Sequence, residues 1–449
     1  MKHSSTKGRT WVRGEPGFDV TVLATSFNAR DPGVRPAVLV QANTVDDVVA
    51  AVRRARDEGL RVAICSGGHS WTQNHIRDGG LLIDLSRLND IVLDADAMVA
   101  SVGPGCLSGR LDDALRRKRL FFPVAHAYTV GLGGFLLQGG FGWNSRVMGL
   151  GCENVIGFDA VLADGSLVHA SESENADLFW AARGAGPFFF AAIVRFHLRL
   201  HPRPRFTGLK MQIFRMTHLE EVFAWADRAG PNVSPSVEFQ MVLNRKALVI
   251  GAPGIEVLAP VIAGSWRAAR DAVRFLADSP LRAKASFTAP LFPISLATMM
   301  KTGERSLFLP DTHWYSDNMW IEGGIAPLLP ALRKIADTQP PAPSHALWLN
   351  WNPVAARKDM AFSVEGRTYL ALYGGLRREE DVARHAGWAT DAMKALEPYS
   401  RGIQLADENL TRRPARFMSD ANLARLAQVR AHYDPNGLFT ARSRAQASS

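Results

Sequence analysis

The chain has 449 residues, of which 47% are hydrophobic and 21% are charged. This composition excludes a disordered or fibrous protein, and the length favours two domains, or one split domain, over a single core. The formal net charge is +9, but the basic residues are scattered, and their densest group, residues 116–119, stands at the predicted end of a helix. Cations are favourable at that position, so we expect no nucleic-acid partner.

Neither secretion nor membrane insertion is indicated. The N-terminal residues are polar, and no apolar run approaches the roughly 18 residues of a spanning helix. Cys65, Cys106 and Cys152 are widely spaced, which favours neither a disulfide framework nor a CxxC metal site. We expect no metal, no membrane partner and a cytoplasmic location.

The first predicted elements form a strand–helix–strand unit. Residues 37–40 and 60–64 are apolar runs of strand type, and Thr44, followed by Asp47, caps an amphipathic helix that ends at Gly59. Ligands of such units bind at the carboxyl edge of the strands. Further along we predict strands at 81–85, 100–102 and 192–200, helices at 107–119 and 176–182, and a hairpin of 158–162 with 167–170.

The pattern breaks at residues 201–204, His-Pro-Arg-Pro, which favours a domain boundary there. Beyond it, helical and strand-like segments follow one another without strict alternation, which is typical of an α+β domain with a mostly antiparallel sheet. The predicted helices are 219–229, 268–277, 326–336 and 381–396, and the predicted strands include 247–250 and 369–372.

A glycine pair lies directly after the second predicted strand, in Ser66-Gly67-Gly68-His69-Ser70. Adjacent glycines allow close approach of a ligand to the main chain, and consecutive N–H groups can bind an anion. The loop suits a phosphate-bearing cofactor, although a histidine beside a glycine turn can also be an ordinary polar loop residue.

A second glycine-dense stretch spans residues 131–151. Its Gly131-Leu132-Gly133 start lacks the third glycine of a dinucleotide fingerprint, because Leu136 stands there, and no clear strand precedes it. We therefore reject a Rossmann site and predict a loop whose N–H groups contact the pyrophosphate and ring of a cofactor.

Five motifs, taken together in this order, resemble a known family. They are Cys-Ser-Gly-Gly-His-Ser at 65–70, Thr-Val-Gly-Leu-Gly-Gly at 129–134, Gly-Gly-Phe-Gly at 139–142, Asp-Leu-Phe-Trp-Ala-Ala-Arg-Gly at 177–184 and Tyr-Asp-Pro-Asn-Gly at 433–437. The chain resembles the vanillyl-alcohol-oxidase-type FAD-linked oxidoreductases, in particular the berberine-bridge-enzyme-like branch. The resemblance is close over about residues 35–203 and returns at the C-terminus.

The resemblance implies an α+β fold, with a two-part FAD-binding domain of the PCMH type and an inserted α+β substrate domain on a mostly antiparallel sheet. The implied divisions are an N-terminal segment packing on the FAD domain (1–34), the FAD-binding domain (35–204), the substrate domain (205–400) and a segment returning to the FAD domain (401–449).

The implied cofactor is FAD, joined covalently through His69 to the 8α-methyl group of the flavin. Ala127 stands where some relatives have a second, cysteine link, so a single attachment is expected. Val130 holds a position at which valine accompanies oxidase behaviour. The implied FAD-binding residues are Ser66, Gly67, Gly68, His69, Ser70, Thr129, Val130, Gly131, Gly133, Gly134, Gly139, Gly140, Gly142, Asn154, Ile193, Tyr433 and Asn436.

Two positions depart from the family pattern. Phe188 stands where relatives usually have glycine or asparagine, and we expect its bulk either to narrow the cofactor site or to shift the loop. Gln404 aligns with a tyrosine that relatives commonly use in catalysis, and a glutamine cannot act as a general base.

Candidate catalytic residues in the inserted part are His313, Tyr315, Glu238 and Tyr373, each of which could instead be a surface or core-edge residue. We predict an FAD-dependent oxidase that passes a hydride from a small alcohol, amine or ring-containing metabolite to flavin and then to oxygen. The alternatives are an FAD-dependent dehydrogenase, or a flavin-fold binding protein with weak or lost redox activity. Both a monomer and a homo-oligomer remain open.

Overall fold

The chain begins with a small sheet that is mostly parallel. The structure is a computed structural model that describes residues 8–307, 309–354 and 356–439. Its first elements are β1 (Arg9–Val12), α1 (Phe18–Leu23), β2 (Val38–Gln41), α2 (Val45–Asp57), β3 (Val62–Cys65) and β4 (Leu81–Asp84). The strand order is β1-β2-β4-β3, with only β1 antiparallel to its neighbour. The predicted strand–helix–strand unit is confirmed, and the glycine-pair loop leaves β3 at its carboxyl end.

Thr44 and Asp47 form the predicted cap of α2. The Thr44 side chain accepts a hydrogen bond of 3.2 Å from the Asp47 N–H, and Asp47 Oδ2 accepts one of 3.0 Å from the Thr44 N–H. Val48 and Val52 on the inner face of α2 are fully buried against the strands. Reciprocal capping fixes where the helix begins, and burial of its apolar stripe holds it on the sheet.

A second, antiparallel sheet follows. Its region comprises β5 (Ile91–Asp94), β6 (Val99–Val102), α3 (Ser108–Arg117), β7 (Leu120–Phe121), α4 (Leu132–Leu137), α5 (Ser145–Met148), β8 (Val155–Val161), β9 (Leu167–Ser171), α6 (Ala176–Ala182), β10 (Ala192–Arg199) and β11 (His201–Pro202). Five strands pair in the order β5-β6-β10-β8-β9, and β7 pairs with β11. The predicted hairpin is β8–β9. The glycine-dense stretch, predicted as loop, contains the short helix α4.

The remaining elements build one large sheet with helices packed on it. They are β12 (Phe206–Arg215), α7 (Leu219–Ala229), β13 (Gln240–Asn244), β14 (Gly254–Ala263), α8 (Trp266–Ala272), α9 (Arg274–Ala277), β15 (Phe287–Pro293), α10 (Leu296–Leu307), β16 (His313–Ile321), α11 (Leu329–Thr338), β17 (His345–Asn350), β18 (Thr368–Leu376), α12 (Glu379–His385), α13 (Trp388–Ala395), β19 (Ser400–Gly402) and α14 (Asp420–Tyr433). The strand order is β15-β12-β14-β13-β17-β18-β16-β19, with every pair antiparallel, as predicted.

The two faces of the large sheet serve different purposes. Side chains alternate along each strand, so Met241, Trp348 and Leu370 face the core formed with α7, α11 and α13. Gln240 and Tyr369, one residue away along their strands, line a large cavity on the opposite face. Helices therefore cover one face of the sheet, its back, and the other face, its front, lines the cavity.

The predicted strand at 247–250 is wrong. These residues form the turn that joins β13 to β14, with the Gly251 N–H donating to the Ala247 carbonyl at 2.9 Å. Leu248 and Val249 are 51% and 69% exposed, so the apolar run is not part of a buried face. The predicted helices 268–277 and 381–396 each divide into two, α8 with α9 and α12 with α13.

The C-terminal motif returns to the first sheet. The Val62 N–H donates to the Leu438 carbonyl at 2.8 Å, and the Asp434 carboxylate accepts hydrogen bonds from the N–H groups of Leu438 and Phe439. The Tyr-Asp-Pro turn thus brings the C-terminal part of the described chain back to the first sheet. The domain limits near residues 34, 204 and 400 stay a prediction. Among the helices that the structure describes, none has both the length and the apolarity needed to cross a bilayer.

Candidate active site

A cavity of about 710 Å³ lies between the two glycine loops and the front of the large sheet. Ten of the predicted FAD-binding residues line it: Ser66, Gly67, Gly68, His69, Ser70, Val130, Gly131, Gly133, Gly134 and Ile193. Its volume is within the range of protein sites that enclose organic ligands.

The two glycine loops touch each other through their backbones. A Cβ atom on Gly67 would lie 2.5 Å from the Gly131 nitrogen, and one on Gly133 would lie 2.2 Å from Ser66 Oγ. Both contacts are far too short for a real side chain. Glycine is therefore required at these positions to bring the loops together at one end of the cavity.

Seven predicted FAD-binding residues lie outside the cavity wall: Thr129, Gly139, Gly140, Gly142, Asn154, Tyr433 and Asn436. Gly139 has a φ of +105° and leaves room for the Phe362 ring. The Asn154 side chain donates to the carbonyls of Met148 and Leu150, and the Tyr433 hydroxyl donates to Asp177. Gly139, Asn154 and Tyr433 therefore make contacts within the protein, outside the cavity wall.

His69 is held by a ring contact and a hydrogen bond. Its ring stacks on Phe27 with centroids 4.6 Å apart, and its Nε2 lies 2.8 Å from Thr129 Oγ1. The Thr129 hydroxyl donates to Glu304 Oε1, which also accepts the Thr129 N–H at 3.0 Å. The Thr129 hydroxyl has one proton, which it donates to Glu304. Its oxygen therefore accepts a hydrogen bond from His69, so the Nε2 atom of His69 carries the imidazole proton. Burial lowers the pKa of His69 to about 4, so the ring is neutral at neutral pH.

An acid–base cluster lies on the front of the sheet. Tyr373 Oη donates to Asp407 Oδ2 at 2.8 Å, and Tyr369 Oη donates to the same oxygen. All three residues line the cavity. Burial raises the pKa of Asp407, whereas the tyrosine and Trp71 hydrogen bonds act in the opposite direction. Burial, and then the Asp407 charge, raises the pKa of both tyrosines well above the usual value, so both remain protonated donors.

β16 positions Asp407 through a buried asparagine. Asn318 Nδ2 donates to the carbonyls of Gln404 and Asp407 at 3.0 and 2.8 Å, and Asn318 Oδ1 accepts the Gln404 N–H at 2.8 Å. Arg413 then donates to the adjacent Asp317, with both side chains almost completely buried. The C-terminal segment is thereby held rigidly against the sheet.

Of the four predicted catalytic residues, Tyr373 alone lines the cavity. Glu238 lies behind the wall, where it accepts from His126 Nε2 at 2.8 Å and from the Asn144 N–H at 3.1 Å. It therefore orients His126, which does line the cavity.

Tyr315 and His313 are placed elsewhere. The Tyr315 ring is flanked by the guanidinium groups of Arg30 and Arg412, each 5.1 Å from its centroid. His313 begins β16 and, like Tyr315, lies outside the cavity wall. Both residues therefore lie away from the cavity.

Several known proteins resemble this chain in sequence or in fold. A family model described as an FAD binding domain matches residues 36–171. The FAD-linked oxidoreductase nodO of Hypoxylon pulicicidum is 30% identical over 452 residues, which cover 97% of each chain. The 6-hydroxy-D-nicotine oxidase of Arthrobacter nicotinovorans superposes with a TM-score of 0.84 at 20% identity over 98% of each chain. BBE-like 1 of Physcomitrella patens gives 0.84 at 20% identity over 96% of each.

The chain belongs to the FAD-linked oxidoreductases of the vanillyl-alcohol-oxidase type. Its fold is the PCMH-type FAD-binding fold of the berberine-bridge-enzyme-like branch, as the sequence motifs implied. It is an FAD-dependent oxidoreductase, and ten of the residues that the resemblance implies for FAD binding line the cavity.

One cavity-lining arginine, Arg77, has a side chain that suits an anionic cofactor such as FAD. Arg77 lines the cavity, and its Nε donates to the Asn74 carbonyl at 2.7 Å, but its buried Nη1 has no hydrogen-bond partner among the residues described. Burial lowers the pKa of Arg77 to about 10, which still leaves it charged at neutral pH. Glu408 attracts the Arg77 charge, but the buried Nη1 still has no hydrogen-bond acceptor, and a phosphate oxygen of the FAD pyrophosphate suits it.

Sequence reasoning missed both Arg77 and Asp407. Arg77 follows the His69 loop by eight positions, and Asp407 follows Gln404 by three, in a segment already expected to return to the FAD domain. A search for charged residues near each loop would have found both.

The two departures from the family pattern have structural explanations. Phe188 stacks on Phe417, with ring centroids 4.6 Å apart, and lies outside the cavity wall, so the expectation that it narrows the cofactor site is wrong. Gln404 does line the cavity, but its side chain is engaged with the Gln138 carbonyl and the Ala406 N–H. Asp407, three positions after Gln404, also lines the cavity.

Proposed function

We propose that this protein is an oxidase that removes a hydride and a proton from a small alcohol, amine or ring-containing metabolite, with molecular oxygen as the final electron acceptor. Bound FAD supplies the hydride-accepting ring. The observation that carries the proposal is the buried Tyr369–Tyr373–Asp407 cluster, which faces the same cavity as His69 and the glycine loops.

Asp407 is the proton acceptor in this proposal. Both tyrosines stay protonated, so neither can act as a permanent base, whereas a carboxylate with a raised pKa is a better base than an ordinary one. The Tyr373 oxygen accepts the O–H or N–H proton of the substrate while its own proton moves to Asp407. The two hydrogen bonds hold Asp407 in place before the substrate arrives, so little reorganisation is needed.

The front of the large sheet favours a substrate with an apolar ring. Trp71, Phe141, Leu347 and Leu349 surround the acid–base cluster, and the Phe141 ring packs edge-on against Trp351 with centroids 4.4 Å apart. Flat aromatic side chains offer large contact areas to a planar or ring-bearing ligand. His126 adds one polar group held by Glu238, which suits a substrate with a hydroxyl or amine on that ring.

His69 is the proposed covalent attachment point of FAD. The ring lines the cavity, is neutral at neutral pH and is fixed in one tautomer through Thr129 and Glu304. A neutral imidazole has a lone pair on the nitrogen that lacks the proton, and this pair would form the bond to the flavin 8α-methyl carbon. One methyl proton and the remaining imidazole proton would be released, the two electrons of the broken C–H bond would pass to the flavin ring, and molecular oxygen would reoxidise the ring. Ala127 cannot form a second link.

The test begins with the purified protein, which is precipitated with acid so that only covalently bound flavin stays in the pellet. Flavin retained by the wild type and released by His69→Ala supports the attachment. Release of hydrogen peroxide with alcohols and amines, tested in parallel, supports the oxidase. Protein that stays colourless and cannot be loaded with FAD would refute the proposed function.

A further inference from the structure

The outer face of the five-stranded sheet carries two histidines and an aspartate on three adjacent strands. Asp159 on β8 lies directly opposite His169 on β9, and His197 on β10 lies opposite Gly157, two residues before Asp159. Residues two apart on a strand share a face, so all three side chains point the same way. Phe158 and Phe196, on the inner face, are buried.

The ligand atoms of these three residues are already close together. His169 Nδ1 lies 2.7 Å from Asp159 Oδ1, and His197 Nε2 lies 3.3 Å from Asp159 Oδ2. One such atom from each residue lies within 4.8 Å of the others. A tetrahedral zinc ion with bonds of about 2.0–2.2 Å separates its ligand atoms by roughly 3.4 Å. Small side-chain rotations reach that spacing without movement of the strands.

Ser101 orients His197. Its Cα is paired with that of His197 across β6 and β10, and Ser101 Oγ lies 2.8 Å from His197 Nδ1. When Nδ1–H donates to the serine, the lone pair of Nε2 points at the Asp159 carboxylate. In the other tautomer the serine hydroxyl donates to Nδ1 and Nε2–H donates to Asp159, and a metal ion bound at Nε2 would displace that proton. A histidine whose second nitrogen is hydrogen-bonded in this way is typical of metal sites.

Gly157 and Arg195 are the neighbours of the cluster on β8 and β10. Gly157 has no side chain, and a Cβ atom there would lie 3.1–3.2 Å from the His169 ring. Arg195 has its Cα opposite that of Asp159, but its guanidinium pairs with Asp90 at 2.8 Å. The three side chains are 23–40% exposed, so an ion can reach them from solvent.

We propose that Asp159, His169 and His197 bind one divalent transition-metal ion, of which Zn²⁺ is the best match, with water at the open position. Two imidazoles and a carboxylate are a ligand set that zinc accepts. The site is separate from the proposed oxidase chemistry, because Phe196 on the opposite face of β10 lines the cavity. The ion would link three strands behind the cofactor cavity, and binding would stabilise the folded state.

The test uses the full-length protein without an affinity tag, treated with chelator and titrated with Zn²⁺ by calorimetry and with Co²⁺ by visible absorption. We expect one equivalent to bind, with the intense visible bands of tetrahedral Co²⁺. His169→Ala and His197→Ala should each weaken binding at least about tenfold, and Ser101→Ala should weaken it less. His432→Ala, an exposed histidine on α14, is the matched control.

Circular dichroism of each variant distinguishes lost binding from lost folding. Failure of millimolar Zn²⁺ to bind, or equal binding by the wild type and both histidine variants, would overturn the proposal.

Discussion

The Tyr373 hydroxyl donates a hydrogen bond of 2.8 Å to Asp407 Oδ2, which joins a strand of the large sheet to the C-terminal segment inside the cavity. The two residues are 34 positions apart in the chain. Their contact depends on Asn318, which holds the backbone of residues 404–407 with three hydrogen bonds. The proposed acid–base cluster and the anchoring of the C-terminal segment thus depend on the same buried asparagine.

Asp407→Asn tests the proposed base. The amide keeps the size of the side chain but cannot accept a substrate proton, so flavin reduction should slow by about 10²–10⁴-fold. The rate is measured under anaerobic conditions by stopped-flow absorbance, with a substrate found in the peroxide screen. Asp420→Asn, which alters a carboxylate that is 93% exposed, is the control and should leave the rate unchanged. Wild-type rates in Asp407→Asn would exclude Asp407 as the base.

Tyr369→Phe should shift the pH dependence of flavin reduction. Burial raises the pKa of Asp407, and the Tyr369 hydrogen bond opposes that rise. The base works only when ionised, so the rate should fall as pH drops through the raised pKa. Loss of the hydrogen bond raises the pKa further and moves this fall to higher pH. A profile that is identical in wild type and Tyr369→Phe would contradict the assignment.

Arg413→Met should destabilise the protein strongly. Arg413 and Asp317 are 4% and 1% exposed, so the substitution leaves a buried carboxylate without its cation. Breaking such a pair costs about 3–5 kcal/mol of unfolding free energy, measured by urea denaturation. Arg416→Met breaks an exposed pair with Asp420, where the side chains are 52% and 93% exposed, and should cost at most about 1 kcal/mol. Equal losses of unfolding free energy in Arg413→Met and Arg416→Met would show that burial of the Arg413–Asp317 pair is not the cause of the destabilisation.

Thr129→Val and Glu304→Gln should slow covalent attachment of FAD without preventing its binding. Valine removes the hydroxyl that fixes the His69 tautomer, and glutamine removes the charge that orients that hydroxyl. The measurement is the time course of acid-precipitable flavin after apoprotein is mixed with FAD, alongside total bound flavin. Thr298→Val, an exposed position on the same helix as Glu304, is the control. Attachment at the wild-type rate in both variants would show that the hydrogen bonds of Thr129 and Glu304 do not promote the attachment of FAD to His69.

Much of the FAD-binding half could be predicted, because its signals are local. The Thr44–Asp47 cap, the β8–β9 hairpin and the paired glycines each lie within a few residues of one another. The apolar run at 247–250 was wrongly predicted as a strand, because hydrophobicity alone does not distinguish a strand from a turn with exposed side chains.

The chemistry was harder to predict, because its residues are far apart in the chain. Asp407 contacts Tyr369 and Tyr373 because β16 pairs with β18 and because Asn318 on β16 donates a hydrogen bond to the backbone of the C-terminal segment. The Asp159–His169–His197 group likewise depends on strand register, which single-residue motifs do not encode.

Reoxidation of the reduced protein by oxygen tests the central proposal most directly, and it needs no knowledge of the substrate. Val130 lines the cavity beside Gly131 and is the residue that favoured an oxidase. The FAD-loaded protein is reduced chemically without oxygen, then mixed with aerated buffer while absorbance and peroxide are followed. The oxidase proposal predicts reoxidation faster than that of free reduced FAD, with one hydrogen peroxide formed per flavin. Reoxidation no faster than free reduced FAD, together with rapid reoxidation by a quinone, would contradict it and indicate a dehydrogenase.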